Sequence, residues 1–514
     1  MPTTSENNKR IAKNTVMLYF RMIVMLLISL YTSRVVLNTL GVVDYGVYNV
    51  VAGVIVMLGF ITGSLADATS RFITVDLGKG DMELLKKTIG NILFIYLLIS
   101  ILIFIVGETI GLWFVTTHLQ IPEDRQYAAL WVYQLSIFAS ILAVISSPYN
   151  ALIIAHERMS AFAYISILDA VMKLLIVFLL QLIPYDKLII YAILVFVVQT
   201  IDRIIYGAYC SKNFIEIRTR PAYDKKLFKE IFSFSGWEMG SKMAVMGYTQ
   251  GLNILLNIFF GPAVNAARGL AVKVQAICLQ FSNNFLMATK PQIYKSYARG
   301  DFAYMHKLLL KGSKFGFFIL FFIALPISLE ADLVLKWWLG IVPDHTANFI
   351  RLIMFTSLMS CLCTMVVSSV HATGNIMKFH LIEGSLLLTI VPIAYLLLKF
   401  FNVPPESVFI VHISVEIVTH YVRLRIVLPM IKLPIMQYFK QVVVPILLVI
   451  TVSPIVPLIV FLNTDKTVGS FFIVCILCVL SCSLTIFSLG CTNNERKFAV
   501  EKSTNLFRKL RYKV

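Results

Sequence analysis

The chain has 514 residues, 58% hydrophobic and only 14% charged, with a mean hydropathy of +0.82, which excludes an ordinary water-soluble globular protein. Its net charge of +18 could suggest a nucleic-acid partner, yet the basic residues are spread between apolar runs instead of forming one domain or tail. They read as topology signals, and no nucleic-acid binding is expected.

The apolar runs are about 20 residues or longer, enough to cross a ~30 Å hydrocarbon core as helix, and they lack the period-two alternation of barrel strands. Met1 to Asn14 is polar and basic, and the first run carries no small-residue cleavage site, so an uncleaved first helix is expected. In chain order the runs cover 15–38, 46–66, 89–114, 128–152, 161–183 and 188–210. After a basic connector they resume over 234–260, 264–288, 313–335, 346–370, 379–401 and 407–428, and two more cover 441–462 and 468–490. The prediction is an all-α membrane protein of about fourteen transmembrane helices. It divides into a six-helix bundle over 1–210, a cytoplasmic linker over 211–233, a second bundle over 234–428, and two extra helices with a basic cytoplasmic tail over 429–514.

Odd-numbered gaps hold about 30 Lys and Arg, among them Lys79, Lys86, Lys87, Lys212, Arg218 and Lys307, whereas the opposite gaps hold about four, Arg125, Lys187, Lys336 and Lys466. Positive charge is retained on the cytoplasmic side, which places both termini there. Trp113, Trp131, Trp337 and Trp338 then fall at the outer boundary as an aromatic belt. External loops of about a dozen residues at most leave no room for a catalytic domain, so no enzyme activity is expected. The eight cysteines lie in apolar runs or on the cytoplasmic side, and no disulfide framework is expected. Cys475, Cys478 and Cys482, at i, i+3 and i+7, lack a fourth ligand in the sequence and read as packing residues, not a metal site.

Shifted by 220 positions, the chain matches itself. Ala68-Thr69 aligns with Ala288-Thr289, Ile73 with Ile293, Lys79-Gly80-Asp81 with Arg299-Gly300-Asp301, and Lys87 with Lys307; at 217, Ala155 and Phe162 align with Ala372 and Phe379. Six runs separate equivalent points, an even number, so the copies share one orientation, and the cargo site is expected between them. The last two helices stand outside the repeat.

No Gly-rich loop ends in Gly-Lys-Ser or Gly-Lys-Thr, so ATP hydrolysis by this chain is not expected, and no cofactor is called for. The informative residues are polar and ionisable groups inside the runs, which are costly unless they meet partners or water. In the seventh run Glu238, Lys242, Gln250, Asn253 and Asn257 share about a third of the helix circumference. The eighth carries Asn265, Arg268 and Gln275 on one side and Lys273 on another; the first carries Arg21, Ser29 and Thr32, with Arg34 nearer its outer end. Arg21 and Glu238 can also be read as snorkelling to the inner boundary. Asp169 and Lys173 read as an internal i, i+4 pair, and Asp202 adjoins Arg203. His412, Glu416 and His420 recur every four residues, a spacing that suits either a proton relay or a packing stripe. The candidate cationic cavity is Arg34, Lys242, Arg268 and Lys273 with Gln250, Asn253 and Asn257, and candidate proton-coupling residues are Asp169, His412 and Glu416. Excess positive charge suggests an anionic cargo, most naturally a diphosphate.

Three segments carry a resemblance: Ser33-Arg34 followed by Leu40-Gly41-Val42-Val43-Asp44-Tyr45-Gly46-Val47-Tyr48, Ala155-His156-Glu157-Arg158-Met159, and Ala372-Thr373-Gly374-Asn375. With the helix count, the chain resembles Wzx-type polysaccharide flippases of the multidrug/oligosaccharidyl-lipid/polysaccharide exporter (MOP) superfamily. The resemblance implies two pseudo-symmetric six-helix bundles that move undecaprenyl-diphosphate-linked oligosaccharide, such as an O-antigen unit of lipopolysaccharide, from the inner to the outer leaflet of the bacterial inner membrane. It implies membrane lipids and other polysaccharide assembly proteins as partners. The two final helices favour this reading over a cation-coupled multidrug antiporter of the same fold. The antiporter reading also predicts a dominant acidic site, whereas Glu108, Asp169 and Glu416 are scattered.

Overall fold

A computed structural model describes residues 4–56, 59–117, 119, 121–339, 342–465, 467–497 and 500–501. Lys466 and the end of the basic tail lie outside these residues. All regular structure among the described residues is helical. Twelve described helices are long and apolar enough to cross a membrane.

The first, α1, is Thr4–Val56, and a positive φ of 80° at Gly41 divides it into two helices. The second of these leads toward α2, Gly59–Lys79. Four apolar helices follow: α3 (Met82–Thr117), α4 (Glu123–Ala155), α5 (Met159–Leu182) and α6 (Lys187–Asn213). The second half contains α7 (Lys225–Phe260), the more polar α8 (Pro262–Ala298), α9 (Phe302–Leu329), α10 (Thr346–Thr373), α11 (Met377–Phe401) and α12 (Ser407–Met430). Then come α13 (Ile435–Asn463) and α14 (Val468–Gly490). The all-helical class and the helix order agree with the sequence expectation.

The connectors explain why the helices stop where they do. Between α2 and α3, Gly80 turns at φ 79°, and the Asp81 carboxylate caps α3 by accepting from the Glu83 and Leu84 amides at 3.1 and 3.0 Å. Side chains disfavour this left-handed backbone, which is why glycine stands there. A positive φ recurs at repeat-related positions: Gly41 at 80° and Gly261 at 82°, Gly80 at 79° and Gly300 at 72°. Glu157 at 60° and Gly374 at 78° pair at the second offset. Three pairs of unusual turns at the offsets read from sequence make the repeat a property of the backbone.

The chain forms two compact units. One comprises Met1–Lys242, Met287–Asp301 and Gly374–His380; the other comprises Met243–Leu286, Phe302–Thr373 and Leu381–Val514. In the first, Leu85, Ile89, Ile92 and Tyr96 of α3 pack with Leu152, Ile153 and Met159 in a continuous core. In the second, the most apolar windows of α9 and α10 are 72% and 61% buried while that of α14 is 22% buried, so α9 and α10 are central and α14 peripheral.

Candidate substrate site

In the second unit, α8 places Arg268 about two turns from its start, and only 6% of the residue is exposed. Its Nη1 donates to Asn253 Oδ1, and Asn253 Nδ2 in turn donates to Gln250 Oε1 at 3.0 Å. The Arg268 Nε is buried with no hydrogen-bond partner, and no carboxylate among the described residues pairs with this guanidinium. A buried charge held by neutral amides is costly unless a counter-charge or water reaches it. The Tyr248 ring meets His412 edge-on at 5.0 Å. Asn257 and Lys273 are exposed, and Lys273 has no ion-pair partner among the described residues.

Further along α12 lies a buried ionic cluster. Arg423 donates through Nε to Glu383 Oε1 at 2.7 Å and through Nη1 to Glu416 Oε1 at 2.6 Å, and Nη1 also approaches Cys363 Sγ at 2.9 Å. His420 Nδ1 is 3.1 Å from the same sulfur. One guanidinium therefore serves two carboxylates, and Glu416 is held by an ion pair as well as by its helix.

The first unit holds the remaining candidates. Lys242 Nζ is 2.6 Å from Asp67 and 3.6 Å from Glu238, so its positive charge is compensated within the protein. Glu238 is buried, with His380 Nε2 at 3.2 Å. Asp169 pairs with Lys173 at 2.8 Å as the spacing predicted. Arg203 turns away from its neighbour Asp202, donating to Tyr149 Oη at 2.9 Å and lying over that ring at 4.2 Å. Arg21 does not snorkel free: its guanidinium sits 4.4 Å from the Phe162 ring centroid and 3.5 Å from Ser166 Oγ. Arg21, Asp169 and Asp202 line a cavity of about 650 Å³ with Asn150 and several serines. The side chain of Arg34 lies outside the described residues.

Ion pairs also fasten the connectors. In the first half, Arg125 bonds Asp44 through two nitrogens and Asp186 through Nη1 at 2.8 Å. In the second, His345 Nδ1 is 2.7 Å from Glu406 Oε1. Burial works to raise the Glu406 carboxyl, but hydrogen bonds from His345, the backbone and Asn348 outweigh it and hold the group below the ordinary carboxylate range. Glu216 is likewise depressed, burial being outweighed by the His156 hydrogen bond. So is Glu495, where burial is outweighed by Lys314, whose Nζ lies 2.7 Å away.

The family model for polysaccharide biosynthesis proteins matches residues 11–297, more than half of the chain. The chain belongs to this family. No curated protein matches the sequence significantly. Solved structures share the fold. A MATE transporter in complex with MaD3S superposes at a TM-score of 0.71 with 15% identity, over 83% of this chain and 96% of that one. An outward-facing multidrug resistance MATE transporter of the MOP superfamily gives 0.72 with 14% identity, over 83% and 96%. A MOP superfamily transporter from Pyrococcus furiosus, described as having a binding pocket of reversed polarity, gives 0.68 with 15% identity, over 84% and 99%. The molecule thus belongs to the polysaccharide biosynthesis family, carries twelve described helices long and apolar enough to cross a membrane, and shares the fold of these transporters, two six-helix bundles, with two further C-terminal helices.

In this polysaccharide biosynthesis protein, Arg423 and Glu383 enter the site through the structure alone, although Arg423 lies seven residues beyond Glu416 and so on the same helix face. Glu157, one of the residues that carry the resemblance, shows its partners only in the fold. That residue takes Lys295 and, at 2.6 Å, Gln292 Nε2 on its carboxylate, while its backbone carbonyl accepts from Asn14 at 3.2 Å. No local signal marks these partners, because each contact joins segments far apart in the chain.

Proposed function

We propose that this transporter is a flippase that carries undecaprenyl-diphosphate-linked oligosaccharide from the inner to the outer leaflet of the bacterial inner membrane, for surface polysaccharide assembly. Family membership supplies the polysaccharide context, and one observation carries the choice of cargo. Arg268 is buried and, among the described residues, its guanidinium is seen bonded to the neutral Asn253 and to no carboxylate. A diphosphate supplies the missing counter-charge and accepts hydrogen bonds in fork geometry. A cationic drug would be repelled there, which weighs against the multidrug antiporter reading that the MATE fold allows.

Within this proposal Arg268, Asn253 and Gln250 form the head-group anchor, with Arg34, Lys273 and Asn257 along the route. Lys242 contributes least, since Asp67 and Glu238 already compensate it. Proton coupling is assigned to Asp169, His412 and Glu416, ionisable groups inside the spans. Both termini face the cytoplasm, the loop charges being the support, and the chain performs no chemistry on its cargo. The functional divisions are those of the repeat, 1–210 and 234–428, with the linker 211–233 and the segment 429–514 as additions.

The test is genetic. Cells lacking the gene, or carrying Arg268→Gln at normal protein level, are expected to strand lipid-linked oligosaccharide in the inner leaflet and to lose surface polysaccharide at least tenfold. Normal delivery to the outer leaflet in the deleted strain would remove the proposal.

A further inference from the structure

The cavity in the first unit has a chemistry quite unlike that around Arg268. It measures about 650 Å³ and is lined by five serines, among them Ser140 and Ser147, together with Asn150, Arg21 and Asp202. That volume falls within the ~300–1,000 Å³ typical of small-molecule sites. Apart from Asp169 Oδ1, which Lys173 Nζ approaches at 2.8 Å, three buried polar atoms of the lining have no hydrogen-bond partner among the described residues: Arg21 Nε, a donor, and Asn150 Oδ1 and Asp202 Oδ1, both acceptors. Asp202 is only 8% exposed, so bulk water does not relieve it. Buried polar atoms left unpaired cost about 1–3 kcal/mol each, and a group that pairs them is correspondingly favoured.

The charges select among possible occupants. Asp169 is matched by Lys173 at 2.8 Å, and the Asp202 carboxyl lies within hydrogen-bond reach of Asp169, while Arg21 supplies a guanidinium to the same lining. Acids and bases thus stand in equal number, and neither a diphosphate nor a cationic drug meets a lining of one opposite sign. An apolar molecule would leave all three orphan atoms unpaired. A polyol satisfies them, because each hydroxyl both donates and accepts: it can donate to Asn150 and Asp202 and accept from Arg21. The Tyr48 and Tyr206 rings also line the cavity and offer apolar faces to the C–H side of a pyranose.

We infer that this cavity is a binding site for an uncharged sugar residue of the cargo. The inference rests on the flippase reading and deepens it by assigning the glycan to a place other than the head-group anchor.

The experiment is saturation-transfer NMR on the purified full-length protein in lipid nanodiscs. The probes are uncharged free sugars, namely hexoses, 6-deoxyhexoses and N-acetylhexosamines, with glucuronate as the anionic control. At least one uncharged pyranose should receive transfer on its ring protons, more strongly than glucuronate. The signal should fall at least fivefold in Ser140→Trp, which fills the cavity, and in Asp202→Asn, which keeps the volume but removes the charge. Thermal unfolding identifies any variant that fails to fold, and the remaining variant then decides. If no uncharged sugar receives transfer, the cavity holds water alone and the inference is overturned. Signal undiminished in a folded Ser140→Trp variant would overturn it too. The flippase reading fails by a different result, outer-leaflet delivery in the deleted strain, so the two failures are distinguishable.

Discussion

At one end of the first half, Arg125 stands between Asp44 and Asp186; at the equivalent end of the second half, His345 stands against Glu406. Both partners correspond across the repeat: His345 is Arg125 shifted by 220 positions, and Glu406 is Asp186 shifted by the same number. One architecture therefore carries a planar five-donor guanidinium that bridges two carboxylates and, in its copy, an imidazole that meets one. The opposite end shows a similar asymmetry. At the α4–α5 turn the left-handed position is Glu157, whose carboxylate receives Lys295; at the α10–α11 turn it is Gly374, packed against the Arg71 guanidinium. Duplication preserved the backbone and left the chemistry at each junction free to diverge.

Substitutions at these four junctions test whether they differ in kind. The largest effect is expected from Glu157→Ala, which leaves the partly buried Lys295 without its carboxylate and removes the Gln292 contact; ~3 kcal/mol, the lower end for a broken buried pair, is expected, read as a fall in unfolding temperature. Gly374→Ala comes next. An added Cβ would lie 2.5 Å from Arg71 Nη2 on a backbone at φ 78°, both unfavourable, and ~1–3 kcal/mol is expected for strain of this kind. If Gly374→Ala were as stable as the parent, the close approach at this turn would be dispensable and the comparison would weaken.

Arg125→Ala leaves Asp44 and Asp186 without their shared cation, and ~1 kcal/mol is expected because all three groups are partly exposed. The smallest change, and the most diagnostic, is His345→Arg. Because the Glu406 pKa is depressed in the folded protein, its stabilisation is present above the unfolded carboxylate range near ~4.3 and is lost as pH falls through the folded value. His345→Arg keeps a donor beside Glu406 and should leave this acid loss in place, with a change below ~1 kcal/mol for so exposed a pair, read from unfolding temperature against pH. Disappearance of the acid loss in this variant would show that the imidazole itself, and not any cationic donor at this position, holds the carboxylate.

The helices and the repeat were legible in the sequence because both are one-dimensional. Apolar length predicts a span, and Gly80-Asp81 recurring as Gly300-Asp301 marks a repeated turn. The pairing of charges was not legible, because it is decided between distant segments. On α7 the five polar residues read as one face meet different environments: Glu238 is buried, Lys242 is held by Asp67, and Gln250 is exposed. Asp169 with Lys173 was predicted because one helix supplies both ends. Arg423 with Glu383 was missed because two helices do. The segment around Asp44-Tyr45-Gly46 suggested the family but not its role, which includes anchoring Arg125.

The most direct test of the central claim is leaflet exchange in vesicles. Purified protein would be reconstituted with undecaprenyl-diphosphate-linked oligosaccharide, and outward exposure followed with a membrane-impermeant glycosidase. The account predicts that the protein accelerates exposure, that Arg268→Gln abolishes most of this acceleration, and that Arg268→Lys retains part of it. Exposure no faster than in protein-free vesicles, or an Arg268→Gln variant as active as the parent, would contradict it.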